Sequence, residues 1–239
     1  MSTQKSHREK LRISDLHAFY GESHILHGID LTVKQGELVT LLGRNGSGRS
    51  TTLRAIMNLV GRRTGSIVIN GNETLGMPSH RIAHLGLGYC PEERGIFSSL
   101  NVEENLMLPP AVRSGGMSVE ELYEMFPNLY ERRFSQGTRL SGGEQQMLAL
   151  ARILRTGANI LLLDEITEGL APVIVQRLGE VLVTLKERGL TILLVEQNFR
   201  FAAPIADRHY VMEHGHIVEE VAAHELDART EMLNTYLGV

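Results

Sequence analysis

The run Gly43-Arg44-Asn45-Gly46-Ser47-Gly48-Arg49-Ser50 has the composition and spacing to hold phosphate. It follows an apolar, strand-like stretch, Glu37 to Gly43, and opens a helical one, Ser50 to Val60. The glycines let successive backbone N–H groups turn toward one point, and a helix N-terminus adds partial positive charge. Arg49 brings the basic side chain, and Ser50, followed by Thr51, offers a hydroxyl to Mg2+. Such loops usually carry lysine where Arg49 stands. Without a ligand, the same residues make only a glycine-rich turn between strand and helix.

Two further runs carry chemistry. Ile160-Leu161-Leu162-Leu163-Asp164-Glu165 sets an acidic pair at the carboxyl end of a strand, where open α/β sheets bind ligands. Asp164 can hold Mg2+ and Glu165 can polarise a water. The plainer alternative is a pair of helix-capping carboxylates. In Leu140-Ser141-Gly142-Gly143-Glu144, Ser141 and Glu144 have the spacing of a capping box before the helical run Met147 to Arg155. Two glycines in a first turn are poor helix formers. They permit close backbone approach and suggest a second anion site.

These residues need a frame. Short apolar runs alternate with longer amphipathic ones, which predicts an α/β fold with a mainly parallel sheet. The strands are expected at Glu37–Gly43, Ser66–Asn70, Gly86–Pro91, Asn159–Leu163, Leu190–Val195 and His209–Glu213. The unbroken run Ile160 to Leu163 reads as a strand buried on both faces. Pro172 to Arg188 sets Ile174, Leu178, Val181, Leu182 and Leu185 on one helical face, and Gly189 ends it. From about Phe97 to Arg155 no strand is expected. Val102–Leu108 and Ser118–Phe126 read as helices of an insertion. His214-Gly215 reads as a hairpin turn, and Glu225 to Val239 as a surface helix.

Composition narrows the class. The chain has 239 residues, 42% of them hydrophobic and 22% charged, enough for a full core. Its net charge is −4, so no chain-wide basic surface for nucleic acid is expected. No run approaches the roughly 18 apolar residues of a membrane span, and Met1 to Lys10 lacks the apolar stretch of a signal peptide. The one cysteine, Cys90, cannot make an internal disulfide and reads as a buried small residue; a reducing compartment fits. The ten histidines read as scattered, without a complete metal-ligand set. Of the 24 basic residues, 20 are arginine, so an arginine at any basic position is unsurprising.

In the order glycine-rich loop, Leu-Ser-Gly-Gly-Glu, then four apolar residues with Asp-Glu, the chain resembles the nucleotide-binding subunit of an ABC transporter over almost its whole length. That resemblance implies one domain, 1–239, with the P-loop ATPase fold. An α/β core over about 1–96 and 157–239 would include an antiparallel β part near residues 10 to 75, and a helical subdomain over about 97–156 would carry the signature. It implies ATP and Mg2+. Tyr20 would stack on adenine, and Gly43, Arg44, Asn45, Gly46, Ser47, Gly48, Arg49, Ser50, Thr51 and Asp164 would bind nucleotide. Ser50, Asp164 and Glu92 would stand near the metal, with Glu92 in the usual Q-loop glutamine position. Glu165 would polarise water. Gln197, in the usual switch histidine position, would sense the γ-phosphate. Ser141, Gly142, Gly143 and Glu144 would act in trans in a head-to-tail dimer.

Pro91-Glu92-Glu93-Arg94-Gly95-Ile96-Phe97, Glu168-Gly169-Leu170-Ala171-Pro172 and Val195-Glu196-Gln197-Asn198 resemble the importer ATPases for branched-chain amino acids and related small polar solutes. This implies membrane permease subunits, a second ATPase subunit, identical or sister, and indirectly an external solute-binding protein. The chain would then sit on the cytoplasmic face of the inner membrane. Two other readings stand: a soluble ABC ATPase outside transport, and a hydrolytically weak regulatory subunit. The second follows from Arg49, because a planar guanidinium does not replace an ammonium point charge. Ile166 departs from the usual proline after Asp-Glu.

Overall fold

The computed structural model describes residues 8–237. The chain begins with two long strands, β1 (Glu9–Tyr20) and β2 (Ser23–Lys34), then β3 (Leu38–Gly43) and α1 (Arg49–Ile56). Strands β4 (Arg62–Ile69) and β5 (Asn72–Glu73), helix α2 (Ser79–Ala83) and strand β6 (Leu87–Cys90) follow. Four helices come next: α3 (Val102–Met107), α4 (Val119–Met125), α5 (Pro127–Glu131) and α6 (Gly142–Arg155). The chain then alternates β7 (Ile160–Asp164), α7 (Pro172–Glu187), β8 (Thr191–Glu196) and α8 (Phe199–Ala202). It closes with β9 (Arg208–Glu213), β10 (His216–Ala222) and α9 (Leu226–Leu237).

Two sheets result. The larger has six strands in the order β10-β9-β3-β8-β7-β6 and is parallel except for the β9–β10 hairpin. Every residue of β3, β7 and β8 is buried, as expected of strands covered on both faces. Alternation sorts their side chains. Leu161, Leu163, Ile192 and Leu194 face a core with Leu106, Leu122, Leu150, Leu154 and Leu182 of the helices. Leu162, Leu193 and Val195 face the other way, onto Leu53 and Ile56 of α1 and onto Leu11, Ile13, Leu26 and Ile67. Those last residues belong to the second sheet, antiparallel, with the order β2-β1-β4-β5. The alternation that signals β1 and β2 is broken by register shifts, one of them between Ala18 and Phe19, and the residue-level reading drew no strands there.

Local chemistry sets the helix ends. Asn101, Ser118 and Ser141 each close a capping box, with Glu104, Glu121 and Glu144 returning a side chain to the cap N–H. Pro172 occupies the first turn of α7, and Gly189, with φ +88°, follows its end. α1 is shorter than Ser50 to Val60. Buried Arg63 donates to the Ala55 and Ile56 carbonyls as the helix ends, and to the Thr74 carbonyl at 2.7 Å. His214 and Gly215, both at positive φ, form the hairpin turn. Between Phe97 and Arg155 no strand is present beyond a single bridge, Asn101 with Gln136.

The helices meet the sheet closely at Gly88 of β6. A Cβ there would lie 1.9 Å from Ile153 Cγ2 on α6. Gly88→Ala should cost about 1–3 kcal/mol through overpacking. Urea unfolding should also find Gly88→Ala with Ile153→Ala less destabilising than the sum of the two single changes. Additive costs would show that this contact does not set the spacing.

Candidate nucleotide site

The parallel strands end on one edge and carry the singled-out residues there. Gly43 closes β3, Cys90-Pro91-Glu92 continues β6, Asp164-Glu165 closes β7, and Glu196-Gln197 closes β8. The register aligns Leu42 with Glu196, Asp164 with Val195 and Cys90 with Leu163. This is the carboxyl edge where open α/β sheets take ligands.

The glycine-rich loop is shaped as a cradle. Gly46 and Gly48 have φ +80° and +106°. The φ of Gly48 would strain an L side chain, and a Cβ there would also press to 2.9 Å on the tips of Leu26 and Met212. Gly48 is also the N-cap of α1 and brings no side chain to its first turn, whose N–H groups are left for a ligand. The loop is held from outside by Gly215, whose N–H donates to the Ser47 carbonyl at 2.8 Å. Among the described residues, Ser47 Oγ and Arg49 Nη1 are buried without a hydrogen-bond partner. They are two of seven such side-chain atoms among the described residues, and these two stand two positions apart in the loop. An anion seated on it would satisfy them.

Ser50 Oγ donates to Asp164 Oδ1 at 2.9 Å, and the Tyr89 hydroxyl donates to Asp164 Oδ2 at 3.3 Å. Arg49 Nη2 donates to Glu165 Oε1 at 2.7 Å and to Asn45 Oδ1 at 3.2 Å. The Arg49–Glu165 ion pair is almost dry, with side-chain exposures of 3% and 9%. A cavity of about 420 Å³ opens above these pairs, lined by Tyr20, residues 45–51, Glu92, Glu165 and Glu168. Arg44 lines a neighbouring cavity with Asn45, Gly46 and Ser47. Carboxylate oxygens of Glu92, Glu165 and Glu168 lie within 4.8 Å of one another, a donor set suited to a hard divalent cation.

Burial raises the Glu165 carboxyl to about 7; a hydrogen bond from Glu168 and the charges of Glu168 and Glu92 add to this, and Arg49 opposes it. Burial also pushes Asp164 up, against hydrogen bonds from Ser50 and Tyr89.

Not every expected residue reaches the cavity. Gln197 is exposed on the loop after β8 and does not line it, nor do Ser141, Gly142, Gly143 and Glu144 at the start of α6. The glycine pair divides its duties. Gly143 is buried, and a Cβ there would lie 2.9 Å from Ile174 Cγ2, so it admits close packing of α7. Gly142 faces the Arg94 guanidinium. Ile166, which replaces a proline, is buried in the helical core.

Two groups escaped the sequence reading. Buried Glu196 accepts from Thr167 Oγ1 at 2.9 Å, from Thr167 N–H at 3.2 Å and from Asn198 N–H at 3.4 Å. It ties the loop after Glu165 to the loop bearing Gln197. Its value is raised to about 6, mainly by burial. Its only sequence signal was an acidic residue ending an otherwise apolar strand. The histidines are the second group: four of the ten, distant or unremarkable in sequence, meet in space. His17, His24, His27 and His216 form a continuous chain of rings, with His216 delivered from another sheet. Burial, then the neighbouring histidines, hold His27 below the ordinary histidine value. Cys90 is fully buried, and burial pushes its thiol up to about 12, which makes it inert.

The chain is similar to known proteins. The family model for ABC transporters matches residues 26–168. The high-affinity branched-chain amino acid transport ATP-binding protein BraG of Pseudomonas aeruginosa is 39% identical, covering 95% of this chain and 99% of that protein. A probable branched-chain amino acid transport ATP-binding protein, LivF of Archaeoglobus fulgidus, is 36% identical over 96% and 99%. The lipopolysaccharide export ATP-binding protein LptB of Escherichia coli is 32% identical over 95% and 97%. Among solved structures, an ATP-binding cassette in its ADP conformation superposes with TM-score 0.80 at 21% identity, over 97% of this chain and 99% of that one. A dimeric cassette in a post-hydrolysis state bound to ADP and Pi gives 0.79 at 26% identity, over 89% and 98%. With its glycine-rich loop, acidic pair and signature on the fold of these cassettes, the chain belongs to the ABC transporter ATP-binding family and is an ABC-type ATPase.

Proposed function

We propose that the chain hydrolyses ATP to drive an importer of branched-chain amino acids or related small polar solutes. The observation that carries the ATPase part is the pair of buried, partnerless polar atoms, Ser47 Oγ and Arg49 Nη1, in the loop that caps α1. Residues 43–51 would cradle the phosphates, and Tyr20, 39% exposed at the cavity rim, would stack on the base. Ser50, Asp164 and Glu92 would hold Mg2+, which supplies charge neutralisation on the phosphates. Glu165 would polarise the attacking water, and Gln197 would sense the γ-phosphate. Ser141, Gly142, Gly143 and Glu144 would complete the site of a partner cassette, in keeping with their distance from this chain's own cavity lining.

The import reading is supported by BraG and LivF, both branched-chain amino acid transport proteins by name, and by the matching sequence phrases. LptB, an export protein, shares slightly less sequence. Partners would be permease subunits, a second cassette and, indirectly, an external solute-binding protein. Among the described residues no helix is long and apolar enough to cross a membrane. The chain would act at the cytoplasmic membrane face through those subunits. Reconstitution with neighbouring permease genes, followed by radiolabelled leucine uptake and a binding-protein ligand screen, tests direction and solute together. ATPase activity stimulated by a lipid or an exported solute instead would reverse the import reading.

The Arg49–Glu165 pair favours a second reading, a hydrolytically weak subunit, because it engages the water-polarising group. Wild type should turn over ATP at least about a hundredfold faster than Glu165→Gln. Equal background rates would favour the weak subunit. Arg49→Lys keeps the charge but loses the second guanidinium nitrogen, Nη1, that stays available beside the one holding Asn45 and Glu165, so it should alter kcat more than ATP affinity.

Glu165 must be ionised to act. The pH profile of kcat/KM, which reports groups of the free enzyme, should therefore rise through about pH 7. Glu168→Gln removes a neighbouring carboxylate and should move that limb to lower pH. An unmoved limb would remove Glu168 from this role.

Glu196 has a positioning role on this reading. Its folded value near 6 lies above the ordinary glutamate value of 4.5, so the folded state binds the proton more tightly. Its contribution to stability is then fully present below about pH 4.5 and is lost as pH rises through about 6, by about 2 kcal/mol. Glu196→Gln should remove this part of the slope in urea titrations. Glu196→Ala, which frees Thr167 as well, should lower kcat about tenfold while leaving ATP affinity unchanged.

A further inference from the structure

Asp164 is fully buried, and its two carboxylate oxygens are held from different elements. Ser50 Oγ of α1 donates to Oδ1 at 2.9 Å, and the Tyr89 hydroxyl of β6 donates to Oδ2 at 3.3 Å. Parallel pairing brings Tyr89 there. Tyr89 is aligned with Leu162 of β7, and Leu162 and Asp164, two positions apart, share a face of the sheet. On that face Tyr89 and Leu162 pack in one core with Leu53 and Ile56 of α1. A phenylalanine would cover the same apolar surface; the hydroxyl is what reaches the carboxylate.

Helix α1 braces the same hydroxyl. Ser50 and Arg54 stand four positions apart on α1 and so share one side of the helix. A hydrogen bond with Tyr89 holds the Arg54 guanidinium above the ordinary arginine value; burial opposes this, and a hydrogen bond with Tyr20 adds to it. The Tyr89 oxygen accepts from this cation while its proton goes to the carboxylate. Burial, then the Asp164 charge, pushes the Tyr89 hydroxyl up, so it keeps that proton throughout the neutral range. Through Tyr20 and Tyr89, Arg54 stands between the cavity rim and Asp164. Its pair with Glu93, at 3.4 Å, is a partly exposed contact of small weight.

The last torsion of an aspartate is broad and two-fold, so one hydrogen bond leaves the carboxylate free to swing about that contact. Two bonds, one to each oxygen and from separate elements, fix its plane. Ser50 cannot do both, because its single hydroxyl proton is committed to Oδ1. Outer partners of this kind orient the groups that hold a metal. On the reading of Asp164 as a metal-holding residue, we propose that Tyr89, braced by Arg54, is a positioning residue. It fixes the plane of the Asp164 carboxylate for the Mg2+ that accompanies ATP.

The test reads metal dependence apart from turnover. Full chains carrying Glu165→Gln, which slows hydrolysis, are titrated with the fluorescent nucleotide mant-ATP, with and without Mg2+. Adding Tyr89→Phe should raise the Mg2+ needed to half-saturate the nucleotide complex about tenfold and leave the metal-free affinity unchanged. Arg54→Gln should give a smaller shift in the same direction, and thermal melts check that each chain folds. With Glu165 restored, Tyr89→Phe should raise the Mg2+ needed for half-maximal turnover by a similar factor. Asp164→Asn separates the two readings. If it shifts the Mg2+ requirement and Tyr89→Phe does not, the positioning role is overturned. If neither variant shifts it, the metal role of Asp164 fails and the proposal fails with it. Equal weakening with and without Mg2+ in Tyr89→Phe would assign Tyr89 to packing or to the base, and would also overturn the proposal.

Discussion

Parallel pairing of β3 with β8, and of β8 with β7, is the constraint on which the site depends. Parallel strands end on the same edge, so one register aligns the glycine loop, the Asp-Glu pair and the Glu196-Gln197 corner. Slipping one strand by a single residue would turn its side chains to the opposite face and separate Ser50 from Asp164. The sheet resists this because both of its faces are covered. Alternate leucines of β7 and β8 are committed to two different cores, and exchanging them would strand apolar groups on each side. Rigidity of this kind suits phosphoryl transfer, in which the protein contributes chiefly position and charge.

The buried charge at that edge needs its own balance. Arg49, Glu165 and Asp164 have left most of their water, which is costly for each alone. Pairing Arg49 with Glu165, and Asp164 with the Ser50 and Tyr89 hydroxyls, offsets part of that cost. The remainder shows in the raised carboxyls and in the unpaired Arg49 Nη1. A ligand rich in negative oxygens would satisfy the unpaired donor. Arginine differs from lysine here in reach and in number of donors: one guanidinium nitrogen holds Asn45 and Glu165 while the other stays available.

The two layers beside the sheet have separate tasks. The helical layer carries the capped start of α6, which does not line this chain's own cavity. The antiparallel layer carries Tyr20 to the cavity rim and holds the phosphate loop through Gly215. It also gathers the histidines.

Much of the local structure was legible from the residues. Buried strands read as unbroken apolar runs, helix starts read from Ser141 and Pro172, and the phosphate loop read from glycines at fixed intervals, because each rests on physics within a few positions. The antiparallel sheet was reached only through family resemblance, since bulges interrupt the alternation of β1 and β2. Tertiary structure alone decided the contacts between distant groups. Arg49 meets Glu165 across 116 positions, and Ser50 meets Asp164 across 114. Glu196 reaches Thr167 across 29, and His216 joins histidines of the first hairpin. The reason is physical: propensity and capping act along the chain, whereas ion pairing, burial and ring contact act through space and exist only after the sheets have closed.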